Sequence, residues 1–496
     1  MDATTSLPEP KQEQFWQRYI PLAIWVGAVL LGLVIPLKIM SLGYMPADDA
    51  LRHVAKVISG KTWPQVMLVR PGFGEDEHPG WHATLGAVHQ WFGLGKDHLL
   101  LFSMVAPFVL FWLVMLWGRK RPEALLTVLF AASLTASATF IRPLFGRPFV
   151  VVMIVYVVLL RLWAARDKLP IWQMLLSVGL MGISVWVHGS WYLFGFLVAV
   201  FALAGQWRKA FQFTGCWLMG VALGACLTGR PVGYIHETTA HLFDVFGGQP
   251  LARMLVLELQ PGGGDLFFVV VIGLALLWRV VRGEWKNTVV LHPFFIAAAL
   301  GWLLGLKVAR FWLDWGFPAA VLWLALELEQ ALESRWDFRS TATGMLACFA
   351  AAGVFIGTTR DIGGRWTNDL TIEYVTPETP GIAGWLPDKG GIIYNSDMLV
   401  FFRMFYANPH ADWKYMLGFE PGIMPREDFE ILRKIQWNWS ASKAFEPWVK
   451  KMRPEDRMIL LQGPAPGIKG LEWYYAASDT WIGRLPRKPA APEMKP

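Results

Sequence analysis

The sequence predicts a polytopic α-helical membrane protein of about eleven transmembrane helices with a small C-terminal α/β domain, and three observations carry that prediction. The chain is 54% hydrophobic and only 17% charged over 496 residues, too apolar for a soluble enzyme of this size. Its apolar residues gather in runs of about 16 to 22, long enough as helices to cross the hydrocarbon core of a bilayer. The last part of the chain changes character, to short apolar runs that end in turn residues.

The runs lie near 19–40, 98–117, 123–140, 149–163, 171–188, 191–206, 211–228, 266–281, 289–306, 311–330 and 341–357. The first, "YIPLAIWVGAVLLGLVIPLKIM", exceeds a signal-peptide core and lacks a small-residue cleavage pattern, so it reads as a retained helix with the N-terminus in the cytoplasm. The fourth is short for a span. This orientation puts thirteen Lys and Arg residues in the cytoplasmic connections, among them Arg119, Lys120, Arg121, Lys168, Arg208 and Lys209. Six face the other side, Arg142, Arg147, Arg230, Arg253, Lys307 and Arg310, as the positive-inside rule requires. The net charge of +7 is thereby explained by topology rather than by nucleic acid. Cys216, Cys226 and Cys348 all fall in apolar segments, which indicates neither a disulfide framework nor a zinc site.

The division is therefore 1–357 for the transmembrane part, with outer loops at 42–97 and 229–264, and 358–496 for the outer domain. In the latter, "GGIIYNSD", "KYMLGFEP" and "DRMILLQGP" read as strands and "PREDFEILRKIQ" as a helix. Internal repeats are absent, and the last dozen residues are Pro-rich.

The first outer loop carries the densest chemistry. "PADDALRHVAKVISGK" starts with Asp48 and Asp49 and continues with Ala50, Leu51, Val54, Val57 and Ile58, the pattern of an amphipathic surface helix with acids in its first turn. Capping the helix would account for the acids. The same loop returns through "GEDEHPGWHATLGAVHQWFG" with His78 and His82. An acidic pair after the first helix, a helix closing on "SGKTW", and an acidic-His-Pro segment before a Trp-Phe-Gly resemble the first periplasmic loop of GT-C glycosyltransferases. That superfamily includes the protein O-mannosyltransferases and lipid A aminoarabinose transferases, which use polyprenyl-phosphate sugars.

The resemblance implies a GT-C-like fold and a glycosyltransferase that moves a sugar from a polyprenyl-phosphate donor to a lipid, glycan or protein acceptor. It implies that an acidic residue of the loop serves as general base or helps bind a metal or acceptor, a role that falls on Asp48 or Asp49. A carboxylate at the interface can take the proton an acceptor hydroxyl loses as it attacks the anomeric carbon. Where relatives carry Pro-Pro this chain has "HPGWH", and Pro79 and Gly80 argue against a regular helix that would let His78 and His82 share a metal. A divalent metal is compatible with the resemblance and not required by the sequence.

In "GLKVARFWLDWGFP", Lys307, Arg310 and Asp314 fall on one face if the stretch is helical. Snorkelling and ion pairing would explain them. The functional reading gives Arg310, with Lys307, the donor phosphate, and the stretch loosely resembles a late basic-aromatic-Pro pattern of GT-C members. Further pocket candidates are Arg52, Arg142 in the basic turn "FIRPLFGRPF" with Arg147, His188 in "WVHGSWYLFG", and His236 and Glu237 in "GYIHETTAHLFD". His236 and His241 are five apart, poor spacing for shared ligation. "GGIIYNSDMLVFFRMFYANP" resembles the outer domain of GT-C-like bacterial proteins, with Asn395-Ser396-Asp397 as a ligand turn or a helix cap.

Walker, Gly-x-Gly-x-x-Gly, Gly-x-Ser-x-Gly and Cys-x-x-Cys patterns lack convincing matches. The 28 tryptophans mostly sit near helix ends, where any membrane protein places them. The expected setting is a bacterial inner membrane, with the C-terminal domain in the periplasm. The competing readings are a carrier of lipid-linked sugars, which would use the same outer cations without chemistry, and a non-catalytic subunit of an envelope complex.

Overall fold

A computed structural model describes residues 17–166, 169–247 and 256–486. Each of the eleven apolar runs contains a helix. Lys168, Arg253 and most of the Pro-rich end lie outside the described residues.

The bundle begins with α1 (Ile20–Ser41), whose Leu22, Leu30 and Leu37 are exposed as a lipid-facing helix requires. The first loop then forms α2 (Asp49–Ser59) and α3 (Pro79–Phe92). Next come α4 (Lys96–Leu116), α5 (Pro122–Thr135), α6 (Phe149–Ala164), α7 (Ile171–Val187), α8 (Gly195–Leu203) and α9 (Trp207–Leu227). The second loop contains α10 (Pro231–Gly247). The bundle closes with α11 (Leu266–Val281), α12 (Pro293–Gly305), a π-helical turn (Phe311–Gly316) leading into α13 (Phe317–Glu333), and α14 (Thr341–Thr359).

Among the described residues five helices are long and apolar enough to cross a membrane, α1, α4, α9, α13 with its π turn, and α14; the bent pair Ser137–Leu144 and α6 makes a sixth if counted as one span. The expected eleven is therefore not reached on length. α5, α7, α11 and α12 have 14, 17, 16 and 13 residues, which at ~1.5 Å per residue gives about 20–25 Å. That is short of the ~30 Å hydrocarbon core.

α12 and the π turn approach backbone to backbone. A Cβ on Gly301 would lie 2.4 Å from Cα of Gly316, so glycine at both positions lets them meet. This contact fixes the π turn that carries Asp314. At the other end of the bundle, buried Glu329 accepts from the backbone N–H groups of Lys120 and Arg121 (2.6 and 2.9 Å), and Glu123 pairs with Arg121.

The C-terminal region folds into strands and helices: β1 (Ile392–Tyr394), α15 (Met398–Ala407), β2 (Lys414–Tyr415), α16 (Arg426–Trp437) and β3 (Arg457–Leu461) where the sequence suggests them, and a hairpin it did not, β4 (Glu472–Ala477) and β5 (Thr480–Arg484). The sheet order is β2-β1-β3-β5-β4, with β1 parallel to both neighbours and β5 antiparallel to both of its own. Its core is continuous with the first loop. Leu51 and Val54 of α2, Leu85 of α3 and Trp63 bury against Phe401, Phe405 and Tyr415.

Fully burying one such aromatic side chain contributes about 1.5–3 kcal/mol, and loop and domain, sharing this core, together form a cap on the bundle. The predicted surface helix α2 is thus amphipathic, but its apolar face is covered by α15 and α3 rather than by lipid. The helix stops at Gly60, whose φ of 65° suits the left-handed C-cap.

Candidate functional site

Between bundle and cap lies a cavity of about 690 Å³. Its walls come from distant parts of the chain: Asp48, Asp49 and Arg52 at the start of α2, the basic turn with Arg142 and Arg147, His188 after α7, His241 of α10, and Arg310 before the π turn. The cap supplies Asp397, Phe402, Phe419 and Glu420.

Asp48 stands at the N-cap of α2 but its side chain makes no cap bond. Instead Oδ2 accepts from Arg147 at 2.6 Å, and Oδ1 has no partner. Asp49, in the first turn, accepts from Arg52 Nε and lies 3.4 Å from Nε2 of His53. Burial alone would raise the Asp49 carboxyl, but the neighbouring Arg52 guanidinium leads the opposing charges that hold the group well below the usual carboxylate range. The capping explanation of the acidic pair therefore does not describe these side chains. Both line the cavity and contact guanidinium groups, Asp48 that of Arg147 and Asp49 that of Arg52 on its own helix.

The cations are themselves held in place. Arg142 donates to Asp314 at 2.9 Å and to Glu258 at 3.1 Å, and Arg147 also bonds Glu258. Burial disfavours the ionised Glu258, yet Arg142 and Arg147 keep it well below its usual range. Asp314 is fully buried and shared between Arg142 and Arg310, the latter at 3.2 Å. Arg310 lies over the ring of Phe149, 3.9 Å from its centre, with 22% of its side chain exposed. Arg52 lies over Phe419 of the cap at 4.0 Å. A π-helical turn presents Asp314 inward four residues after Arg310, the i, i+4 relation the sequence suggests.

On the far wall His241 bridges two segments, with Nδ1 at 2.6 Å from Glu77 and Nε2 at 3.1 Å from Glu420. Burial pulls its pKa down, but the two carboxylates prevail and hold it well above 6.5. His78 and His188 meet edge to face, 4.6 Å between ring centres, and burial, first, then each other's proximity keep His78 neutral.

Of the residues singled out from sequence, Asp48, Asp49, Arg52, His78, Arg142, His188 and Arg310 line this cavity. Lys307, His82, His236 and Glu237 do not. Lys307 sits exposed in the turn after α12, because the helix ends at Gly305, so the condition that would have put it on one face with Arg310, a helical stretch, is not met. His82 lies one layer behind the wall, against His53 and Asp76. His236 is exposed, five residues and about 140° round α10 from His241. Glu237 is one turn before His241.

The expectation that Pro79 and Gly80 prevent a helix is corrected: α3 begins at Pro79, where the missing N–H costs nothing. His78 stays outside as its N-cap, so the two histidines still present no common helix face. Asp314, on one face with Arg310, and His241, in the same stretch as His236, were both noted in the sequence, and both belong to the site. Glu258, Glu77, Glu420 and His53 were not singled out, and of these four only His53 had a local signal, four residues after Asp49.

Among the described residues no group of three or more His, Cys, Asp or Glu is placed to hold an ion. One oxygen of each first-loop carboxylate meets a guanidinium, Asp48 Oδ2 that of Arg147 and Asp49 Oδ1 that of Arg52.

No family model matches the chain, and no curated protein matches it. Solved structures do. The archaeal oligosaccharyltransferase AglB from Archaeoglobus fulgidus, in complex with an inhibitory peptide and a dolichol-phosphate, is similar over 91% of this chain and 70% of its own, with a TM-score of 0.50 and 13% identity. The apo crystal structure of the Archaeoglobus fulgidus oligosaccharyltransferase gives the same values. The chain has a GT-C-like fold, as the first loop led one to expect.

Proposed function

We propose that the protein is a membrane glycosyltransferase that takes a sugar from a polyprenyl-phosphate carrier, with Asp49 as general base and Arg310 on the donor phosphate. The observation that carries the reading is the single cavity in which first-loop carboxylates face a guanidinium cluster built from other elements. Its volume suits a small-molecule site. The dolichol-phosphate in the AglB complex supports a lipid phosphate as the donor's leaving end.

Arg310 has one carboxylate partner, which it shares with Arg142, so it has donors left for a phosphate. An acceptor hydroxyl attacks the anomeric carbon. The bond from that carbon to the phosphate oxygen breaks, its electron pair leaves with the polyprenyl phosphate, and the hydroxyl proton passes to Asp49. Arg310 stabilises the charge developing on the leaving oxygen. Asp48 is clamped by Arg147 and holds the basic turn in place. The cap, with Asp397 and Phe402, closes the side from which a lipid, glycan or protein acceptor enters.

The same reading takes the shorter apolar helices as further spans, to about eleven. It places the N-terminus in the cytoplasm of a bacterium, the bundle in the inner membrane, and the cap with the cavity in the periplasm.

The test is turnover by the full-length protein in phosphatidylethanolamine–phosphatidylglycerol vesicles, with a panel of polyprenyl-phosphate sugars labelled in the sugar. D49N should lower kcat by about 10²-fold or more and keep its affinity for polyprenyl phosphate. R310A should weaken polyprenyl-phosphate binding about 10- to 100-fold, the worth of a hydrogen bond to a charged group. D49N turning over at the wild-type rate would end the reading, and movement of labelled lipid across the vesicle without transfer would return the carrier in its place.

A further inference from the structure

Starting at Asp49 the structure holds a row of four titratable side chains that leads away from the cavity. Asp49 Oδ2 is 3.4 Å from His53 Nε2, His53 Nδ1 is 2.9 Å from His82 Nε2, and His82 Nδ1 is 2.5 Å from Asp76 Oδ2. His53 is fully buried and the His82 side chain is 9% exposed. Two helices set the row: His53 follows Asp49 by one turn of α2, and His82 lies in the first turn of α3. Asp76 precedes α3, and its other oxygen accepts from the backbone N–H of His78 at 3.0 Å.

Three contacts in series can each share one proton, but only two of these are hydrogen bonds. At the third, the 3.4 Å approach to Asp49, His53 Nε2 makes no hydrogen bond at all and is buried. A buried unpartnered ring nitrogen beside a carboxylate is expensive unless it serves something. Two protons on the two short contacts give two neutral rings, each with its N–H at Nδ1: His82 donating to Asp76, and His53 donating to His82. The lone pair of His53 Nε2 then points at Asp49.

We infer that this row is a proton acceptor one proton short of complete, and that the missing proton is the one the acceptor hydroxyl releases to Asp49. On transfer, Asp49 becomes the O–H donor to His53 Nε2 and all three contacts are hydrogen bonds. When products leave, the proton returns from Asp49 to cavity water and the row is reset. This extends the glycosyl-transfer reading and rests on it. Asp49 remains the catalytic base, while His53, His82 and Asp76 are positioning residues that raise its proton affinity in the one state where it must hold a proton.

The surroundings agree. Facing His53 are Asp49 and Arg52 of its own helix, His78 and His82 from the other side, and His188 beyond, with Asp76 and Lys56 at the end of the row. Burial and then Arg52 push His53 down to about 3, so it is neutral at physiological pH. Burial opposes ionisation of Asp76, but His82 holds its carboxyl well below the usual range, so Asp76 accepts.

The experiment is ¹⁵N NMR of the full-length, ¹⁵N-histidine protein in lipid bilayers, with His53 and His82 assigned by difference from His53→Phe and His82→Asn. The expected result at neutral pH is two neutral rings, each protonated at Nδ1. An Nε2–H tautomer or an imidazolium at His53 would overturn the inference, whatever the enzyme's activity. In the transfer assay, H82N should lower kcat about 10²-fold, change the pH profile of kcat, and leave polyprenyl-phosphate affinity unchanged. H53F combined with D49N should be no slower than D49N alone. If D49N is inactive while H53F and H82N keep the wild-type rate and pH profile, the row has no part in transfer and the transfer reading stands. If D49N is itself fully active, both fall.

Discussion

Replacing Arg142 by Met tests whether the guanidinium cluster is held by the charges drawn around it. Arg142 is 13% exposed at its side chain and contacts fully buried Asp314 at 2.9 Å and Glu258 at 3.1 Å. Removing one partner of a buried pair costs about 3–5 kcal/mol, because the other charge stays buried. Here Asp314 keeps Arg310 at 3.2 Å and Glu258 keeps Arg147, so the lower end, about 3 kcal/mol, is expected. Replacing Asp314 by Asn in the same chain removes the stranded charge. The double variant should recover about 1.5–3 kcal/mol relative to the sum of the single ones. Unfolding of the full-length protein by detergent titration, without donor, reads all four corners of the cycle. A loss under about 1 kcal/mol for R142M, or a coupling under about 0.5 kcal/mol, would refute the reasoning.

Two further outcomes follow from other parts of the fold. G301A should destabilise by about 1–3 kcal/mol in thermal unfolding, since its Cβ would meet the Gly316 backbone at 2.4 Å, whereas G27A, with nothing within 4 Å, should be neutral or slightly stabilising. The Glu77–His241–Glu420 bridge makes stability depend on pH: with the folded His241 pKa raised above its ordinary 6.5, the contribution is complete below 6.5 and is lost as pH rises through the higher folded value. Unfolding measured from about pH 6 to pH 10 should show that loss in the wild type, and H241N should lack it.

What could be read in advance followed the range of the interaction. All eleven apolar runs contain helices, and β1, β2 and β3 of the tail lie where turn residues end them, because burial periodicity is set within a few residues. Asp49–Arg52, Asp49–His53 and Arg310–Asp314 are likewise one helical turn apart, and the His53 contact was available from that spacing though not drawn. Arg147 and Asp48 are 99 residues apart, Arg142 and Glu258 116. No local pattern pairs them. Lys307 shows the converse: the spacing put it beside Arg310, and the end of α12 at Gly305 took it away.

The sequence alone thus determined a helical membrane protein with an acidic first loop and an α/β cap, since hydropathy and turn chemistry act through neighbours in the chain. Tertiary structure alone decided that α2 is roofed by the cap rather than by lipid. It also decided that the cap and the π turn close one cavity, and that Asp49 backs onto His53, His82 and Asp76. Those outcomes depend on which buried surfaces meet, and that is settled only when segments far apart in the chain exclude water from between them.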